Sequence, residues 1–170
     1  MEGADALGLI AEVGIAIAGF AGVIAALRAP GGRIGPYAAL QIGSLLGQSA
    51  TVVLVALLPF ALHSAGLGSS LIWALSSSQM FLMNLLIILI PFRVSRRALN
   101  VAAEDRSPGV RWVAPASTAL MVVVGVLQLA NATFIRQLWP LVAGLFAITA
   151  LSLFMFAYIL FAPSRAEVPA

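Results

Sequence analysis

Glu12 interrupts LIAEVGIAIAGFAGVIAALR (residues 9–28), a run that is otherwise apolar and small until Arg28. An ionised acid near the middle of a membrane helix costs about 2.5–3.5 kcal/mol on insertion scales, and less toward the interface. No arginine of the chain falls at the depth of Glu12, so an intramembrane ion pair within the chain is ruled out. Two states remain open. One is a neutral carboxyl hydrogen-bonded to a neighbouring helix, with Gln79 as the partner. The other is a hydrated proton- or cation-binding site made by Glu12 and Gln79.

The next polar residues form a pattern. Gln41, Ser44, Gln48 and Thr51 follow one another at intervals of three, four and three residues, which places them in one stripe of a helix. Such a stripe suits either a polar route or hydrogen bonding between helices. Ser76, Ser77, Ser78, Gln79 and Asn84 mark a third helix, Ser117 and Gln128 a fourth, and Thr149 and Ser152 a fifth. At about 1.5 Å of rise per residue, Glu12 lies roughly 9 Å, Gln79 roughly 12 Å and Gln128 roughly 5 Å inside the same boundary. These depths allow the three to meet. Gln128 therefore joins Gln41, Ser44, Gln48 and Thr51 as an expected lining residue.

The elements that must hold these residues follow from composition. The chain has 170 residues, 62% hydrophobic and 9% charged; soluble domains carry about 25% charge. A crossing needs about 20 mostly apolar residues. Stretches 6–27, 38–62, 71–92, 113–131 and 139–162 meet or approach that length. The expected fold is all-α, a bundle of five transmembrane helices forming one domain over residues 1–170, with a loop at 93–112. The acidic start MEGAD, the length of the first apolar run and Arg28 behind it argue for a retained helix rather than a cleaved signal. Asn131, Arg136, Gln137 and Pro140 are expected to turn the chain between the fourth and fifth spans.

Arginine placement orients the bundle. Arg28 and Arg33, then Arg93, Arg96, Arg97, Arg106 and Arg111, and finally Arg165 share one side, and Arg136 alone lies on the other. The positive-inside rule places the N-terminus outside and the C-terminus in the cytoplasm. Arg93, Arg96 and Arg97 would then face cytoplasmic headgroups, and residues 95–105 can extend the third helix into the cytoplasm. Tyr37, Trp73, Trp112, Trp139 and Tyr158 fall near expected boundaries and read as interfacial anchors.

Small residues point to close packing. Asp5, Gly8, Glu12, Ala16, Gly19 and Val23 share one face of the first span; Gly14, Ala18, Ala21 and Ala25 form a second; Val13, Ile17, Phe20 and Ile24 form a bulky third. Gly14, Ala18, Gly19 and Gly22, with Gly43 and Gly47 on the second span, are the expected packing positions. Small residues on two faces suggest that the first span is central or lies at a subunit contact. The fifth span reads as the most lipid-like.

Several chemistries are excluded. All nine basic residues are arginine and there is no cysteine, so Schiff-base, P-loop and thiolate chemistry are impossible. One histidine, His63, cannot build a multi-histidine metal site and reads as an exposed loop residue. No catalytic motif, cofactor signature or nucleic-acid patch is present. Asn131-Ala132-Thr133 spells a glycosylation sequon, but at a membrane boundary in a tight hairpin.

The text Glu12-x-Gly14, followed by Ile17-Ala18-Gly19-Phe20-x-Gly22, resembles the first helix of small uncharacterised multi-pass membrane proteins of bacteria. The resemblance covers about twenty residues. It implies a bacterial inner-membrane setting and carries no activity or catalytic residue.

The expected function is an oligomeric channel- or transporter-like role, with Glu12 as the binding group. The alternative is a non-conducting structural or assembly subunit of a membrane complex. Expected partners are the lipid bilayer and a second copy or another membrane protein.

Overall fold

A computed structural model gives the architecture. It describes the backbone of residues 3–27, 36–102 and 110–161, and the side chains of 3–26, 42–89 and 115–157. The described residues form five long helices: α1 (Ala4–Leu27), α2 (Pro36–Ser64), α3 (Ser69–Ala102), α4 (Val110–Ala130) and α5 (Leu138–Phe161). Each supplies a segment long and apolar enough to cross a membrane, that of α4 continuing beyond Ala130 to Ile135. In hydrocarbon, backbone groups must be satisfied within the segment, and helices achieve this. The protein is therefore a multi-pass membrane protein of all-α fold. Its outward faces agree, since Leu9, Leu54, Leu82, Val123 and Phe146 are all exposed on the bundle surface.

Two connections have a clear local cause. At the end of α2, Gly66 adopts φ 79°, a left-handed conformation that glycine reaches without a Cβ penalty. Its N–H donates to the His63 carbonyl at 3.0 Å and that of Leu67 to the Leu62 carbonyl at 3.3 Å. These two bonds are the Schellman termination of a helix. At the other hairpin, α4 widens into a π-helical turn, Asn131–Ile135, before Arg136 turns left-handed at φ 51°. The Arg136 N–H reaches back to the Asn131 carbonyl at 2.9 Å. The expected turn is thus present, and two residues, Arg136 and Gln137, separate the π-helical turn from α5. The backbone of α3 runs on to Ala102, as expected for a helix that outgrows its apolar part.

Packing departs from the sequence expectation about which helix is central. Among the described residues, α5 packs against α1, α2, α3 and α4, whereas α1 packs substantially against α2 and α5 alone. The fifth helix is the hub and the first is peripheral. The apolar character of α5 suits a protein core as well as lipid, because membrane helices pack without a difference in hydrophobicity between the two surroundings. Leu141, Leu145, Ile148 and Leu151 of α5 join Leu7, Val52, Val55, Ile72 and Met80 in the main core. A smaller cluster of Ile17, Ala21 and Ile24 with Leu45 lies elsewhere, with Met155 and Phe156 against it.

Trp73 is the other correction. It is 5% exposed and lies in the core, whereas Trp139 is 56% exposed and bonds through Nε1 to Gln137 Oε1 at 3.0 Å. Trp139 fits an interfacial anchor and Trp73 does not; a ring near a helix end can turn inward, and sequence position alone does not fix its direction. Tyr37, Trp112 and Tyr158 lie outside the described side chains.

Candidate functional site

Glu12 is exposed on the outer face of α1 and has no hydrogen bond or ion pair among the described residues. The buried face of the same helix is made by Leu7, Ala11, Gly14, Ile17, Ala21 and Ile24, a spacing of three and four that leaves Glu12 on the opposite side. The expected contact with Gln79 does not form. Gln79 belongs to α3, which packs with α2, α4 and α5 and not substantially with α1. Its side chain is half-buried and its Oε1 is enclosed without a hydrogen-bond donor. Equal depth was a necessary condition for the pair, but the order of helices around the bundle keeps the two apart.

The small residues of α1 divide in the same way. Gly14 packs tightly: a Cβ there would stand 3.0 Å from Val53 Cγ2, 3.1 Å from Val52 Cγ1 and 3.4 Å from the Ser49 carbonyl. Glycine at this position is what lets α1 approach α2 so closely. Ala18 is half-buried. Gly19 and Gly22 face open space, and so do Gly43 and Gly47 of α2. These four are not packing positions within one copy, contrary to expectation. A glycine is equally small on a packed face and on an open one, so type alone cannot separate them.

The expected polar stripe of α2 is closed within the bundle. Gln48 is buried; its Nε2 donates to Ser44 Oγ at 3.4 Å, and its Oε1 accepts from Ser152 Oγ of α5 at 3.0 Å. The Ser152 hydroxyl also lies 2.9 Å from the Ile148 carbonyl. Thr51 turns its hydroxyl back to the Gly47 carbonyl at 2.9 Å. The side chain of Gln41 lies outside the described residues, as do those of Arg93, Arg96 and Arg97.

Three further amides tie α3, α4 and α5 together. Asn84 Nδ2 donates to the Met121 carbonyl of α4 at 2.7 Å, beside Gly125, whose added Cβ would lie 3.5 Å from that nitrogen. Gln128 Nε2 donates to the Pro140 carbonyl in the first turn of α5 at 2.7 Å. It reaches that carbonyl across Gly144, where an added Cβ would collide with the amide nitrogen itself. Asn131 Nδ2 donates to Ser77 Oγ at 2.7 Å and to the Gln137 carbonyl at 3.0 Å, while its Oδ1 accepts from the Gln137 N–H at 3.0 Å. Asn131 thus holds the hairpin and docks it on α3. It is fully buried, so the sequon does not present its asparagine at the surface.

Asn131, Asn84, Ser152 and Gly144 therefore hold the bundle together more directly than Glu12 or Gln79 do. The sequence carried one usable signal for them: each of the three polar residues stands in an apolar span, where an unmet polar group is costly. Gly144 had none, because its role depends on the rotamer of a glutamine on another helix.

His63 is exposed, as expected, but it belongs to the last turn of α2 rather than to a loop. Among the described residues no group of His, Asp and Glu is arranged to hold a metal ion. Family models, curated proteins and solved structures were all compared with the chain, and none matches it.

Proposed function

We propose that this protein is a non-conducting subunit or assembly partner of a membrane complex. The observation that carries this reading is the closure of Gln48 on Ser44 and Ser152. Side chains lining a water-filled route present their polar atoms to that route. Here Gln48 donates its amide N–H to Ser44 of its own helix and accepts at its Oε1 from Ser152 of α5, and Thr51 bonds the Gly47 carbonyl of its own helix. Asn84 and Gln128 likewise donate to helix carbonyls. Polar groups used in this way act as glue between helices. A channel- or transporter-like role would have to place its route between copies, along the Glu12 face, rather than through the stripe.

The setting we propose is the bacterial inner membrane, with the N-terminus outside and Arg93, Arg96 and Arg97 at cytoplasmic headgroups. Eight arginines on one side against Arg136 on the other support this orientation. The test is ion flux in proteoliposomes. Proton, sodium and potassium flux are expected to match protein-free vesicles, in the wild type and in Glu12→Gln alike. A protein-dependent flux that Glu12→Gln reduces would overturn the proposal.

A further inference from the structure

We infer that the Glu12 face of α1 docks a transmembrane helix of another protein that carries one arginine or lysine at the depth of Glu12. This rests on the assembly role proposed above and gives its partner a chemistry. The carboxyl stands on the outer surface of the bundle, exposed and without a bond among the described residues. A carboxyl facing hydrocarbon is unfavourable, and side chains of this kind face protein or water-filled space and pair with another group. The bundle supplies neither, since the buried side of α1 is its other side.

The neighbouring residues suit a helix in that position. Gly8 and Gly19, two positions of the same face, have nothing within 4 Å of where a Cβ would stand. A second backbone can come close there, near enough for the short side chain of Glu12 to reach across. Exposed Leu9 and Ile15 flank the acid and would shield an ion pair from lipid and water. The pair then forms in a low dielectric, where its attraction is strong.

Charge decides between a second copy and a different protein. Among the described residues, Arg136 is the one arginine at the same end of the bundle as Asp5, and it stands two residues before Leu138, which meets Gly3. Glu12 lies about 13 Å further along α1 than Gly3, at about 1.5 Å per residue. The Arg136 guanidinium therefore belongs to the end of the bundle. The other eight arginines fall, in the sequence, outside the apolar stretches and on the side opposite to Arg136. A second copy inserted the same way brings Glu12 against Glu12, a like pair. The complementary cation has to come from another chain.

The test uses the full chain in phosphatidylcholine vesicles. Since the protein has no cysteine, His63→Cys gives a single labelling site on an exposed residue for energy transfer. The probes are synthetic leucine–alanine transmembrane helices with either arginine or leucine at the depth of Glu12. The arginine helix is expected to associate at least tenfold more tightly than the leucine helix. Glu12→Gln and Glu12→Leu are expected to remove that preference, and so is moving the arginine two turns along the probe. Equal association of the two probes, or a preference that survives Glu12→Gln, would overturn the inference. So would self-association of labelled copies that Glu12→Leu abolishes, which would make the occupant a second copy. Circular dichroism and elution of each variant check that the bundle is intact. Flux is read on the same vesicles: a Glu12-dependent flux removes the proposed function, whereas silent vesicles with indifferent probes remove only this docking.

Discussion

Replacing Gly144 by alanine tests the packing account most directly. In an exposed helix the change would stabilise, because alanine exceeds glycine in helix propensity by about 0.8–1.0 kcal/mol. At Gly144 the new methyl would overlap Gln128 Nε2, stand 3.3 Å from Gln128 Cδ and lie 2.8 Å from Met80 Cε. Met80 is flexible but fully buried, so it has little room to withdraw. Forcing an extra carbon into a packed core costs about 1–3 kcal/mol. If Gln128 swings away, it loses its 2.7 Å bond to the Pro140 carbonyl, and such bonds in membrane proteins are worth about 0.6 kcal/mol on average and up to about 1.7. Subtracting the propensity gain leaves a net loss of about 1–3 kcal/mol. The assay is reversible unfolding in mixed micelles, with Gly43→Ala as the control, since nothing lies within 4 Å of a Cβ at Gly43. Gly43→Ala is expected to be neutral or stabilising by up to about 1 kcal/mol. The double change Gln128→Ala with Gly144→Ala is expected to cost less than the sum of its parts, because the amide that obstructs the methyl is gone. A Gly144→Ala protein as stable as the control, or additive losses in the double variant, would refute the Gln128–Gly144 contact.

Two further outcomes follow from the polar contacts. Ser152→Ala is expected to destabilise by about 1–2 kcal/mol, because it leaves the buried Gln48 Oε1 without a donor. Gln48→Leu is expected to cost less in the same unfolding assay, since the Ser152 hydroxyl keeps the Ile148 carbonyl as a partner. Asn131→Ala removes the bonds to Ser77 and Gln137 and is expected to cost about 2–3 kcal/mol at about 1 kcal/mol per bond. Hydrogen exchange at the Gln137 amide, which Asn131 Oδ1 accepts, is expected to accelerate in that variant and in no variant of α1.

Spans and site differ in how much of them a one-dimensional pattern can hold. Apart from the end of α3, which runs on to Ala102, the described helices begin and end within a few residues of the apolar stretches, because the hydrocarbon core imposes a length and a composition on each crossing separately. The turn at Asn131, Arg136 and Gln137 was legible for a similar reason: a polar group between two apolar runs has few places to go. The pairing of Glu12 with Gln79 was not legible. Depth is one coordinate, and two residues that share it still lie apart when their helices are not neighbours. The polar stripe was visible as a stripe, but its partner, Ser152, stands 104 residues further along the chain.

The sequence by itself determined that the chain carries five stretches long and apolar enough to cross a membrane, where each lies, and that no thiol or lysine chemistry is available. Each follows from residue type and local run length, which solvation reads one segment at a time. Only the tertiary structure decided that α5 is the hub and α1 the edge, that Trp73 is core and Trp139 surface, and that Glu12 faces outward while Gln48 faces α5. Those choices depend on which faces meet. In a membrane, lipid and protein are nearly equal in polarity, so hydrophobicity does not mark the inner face. Shape and hydrogen bonding mark it instead, through contacts such as Gly14 against Val52 and Gln128 across Gly144.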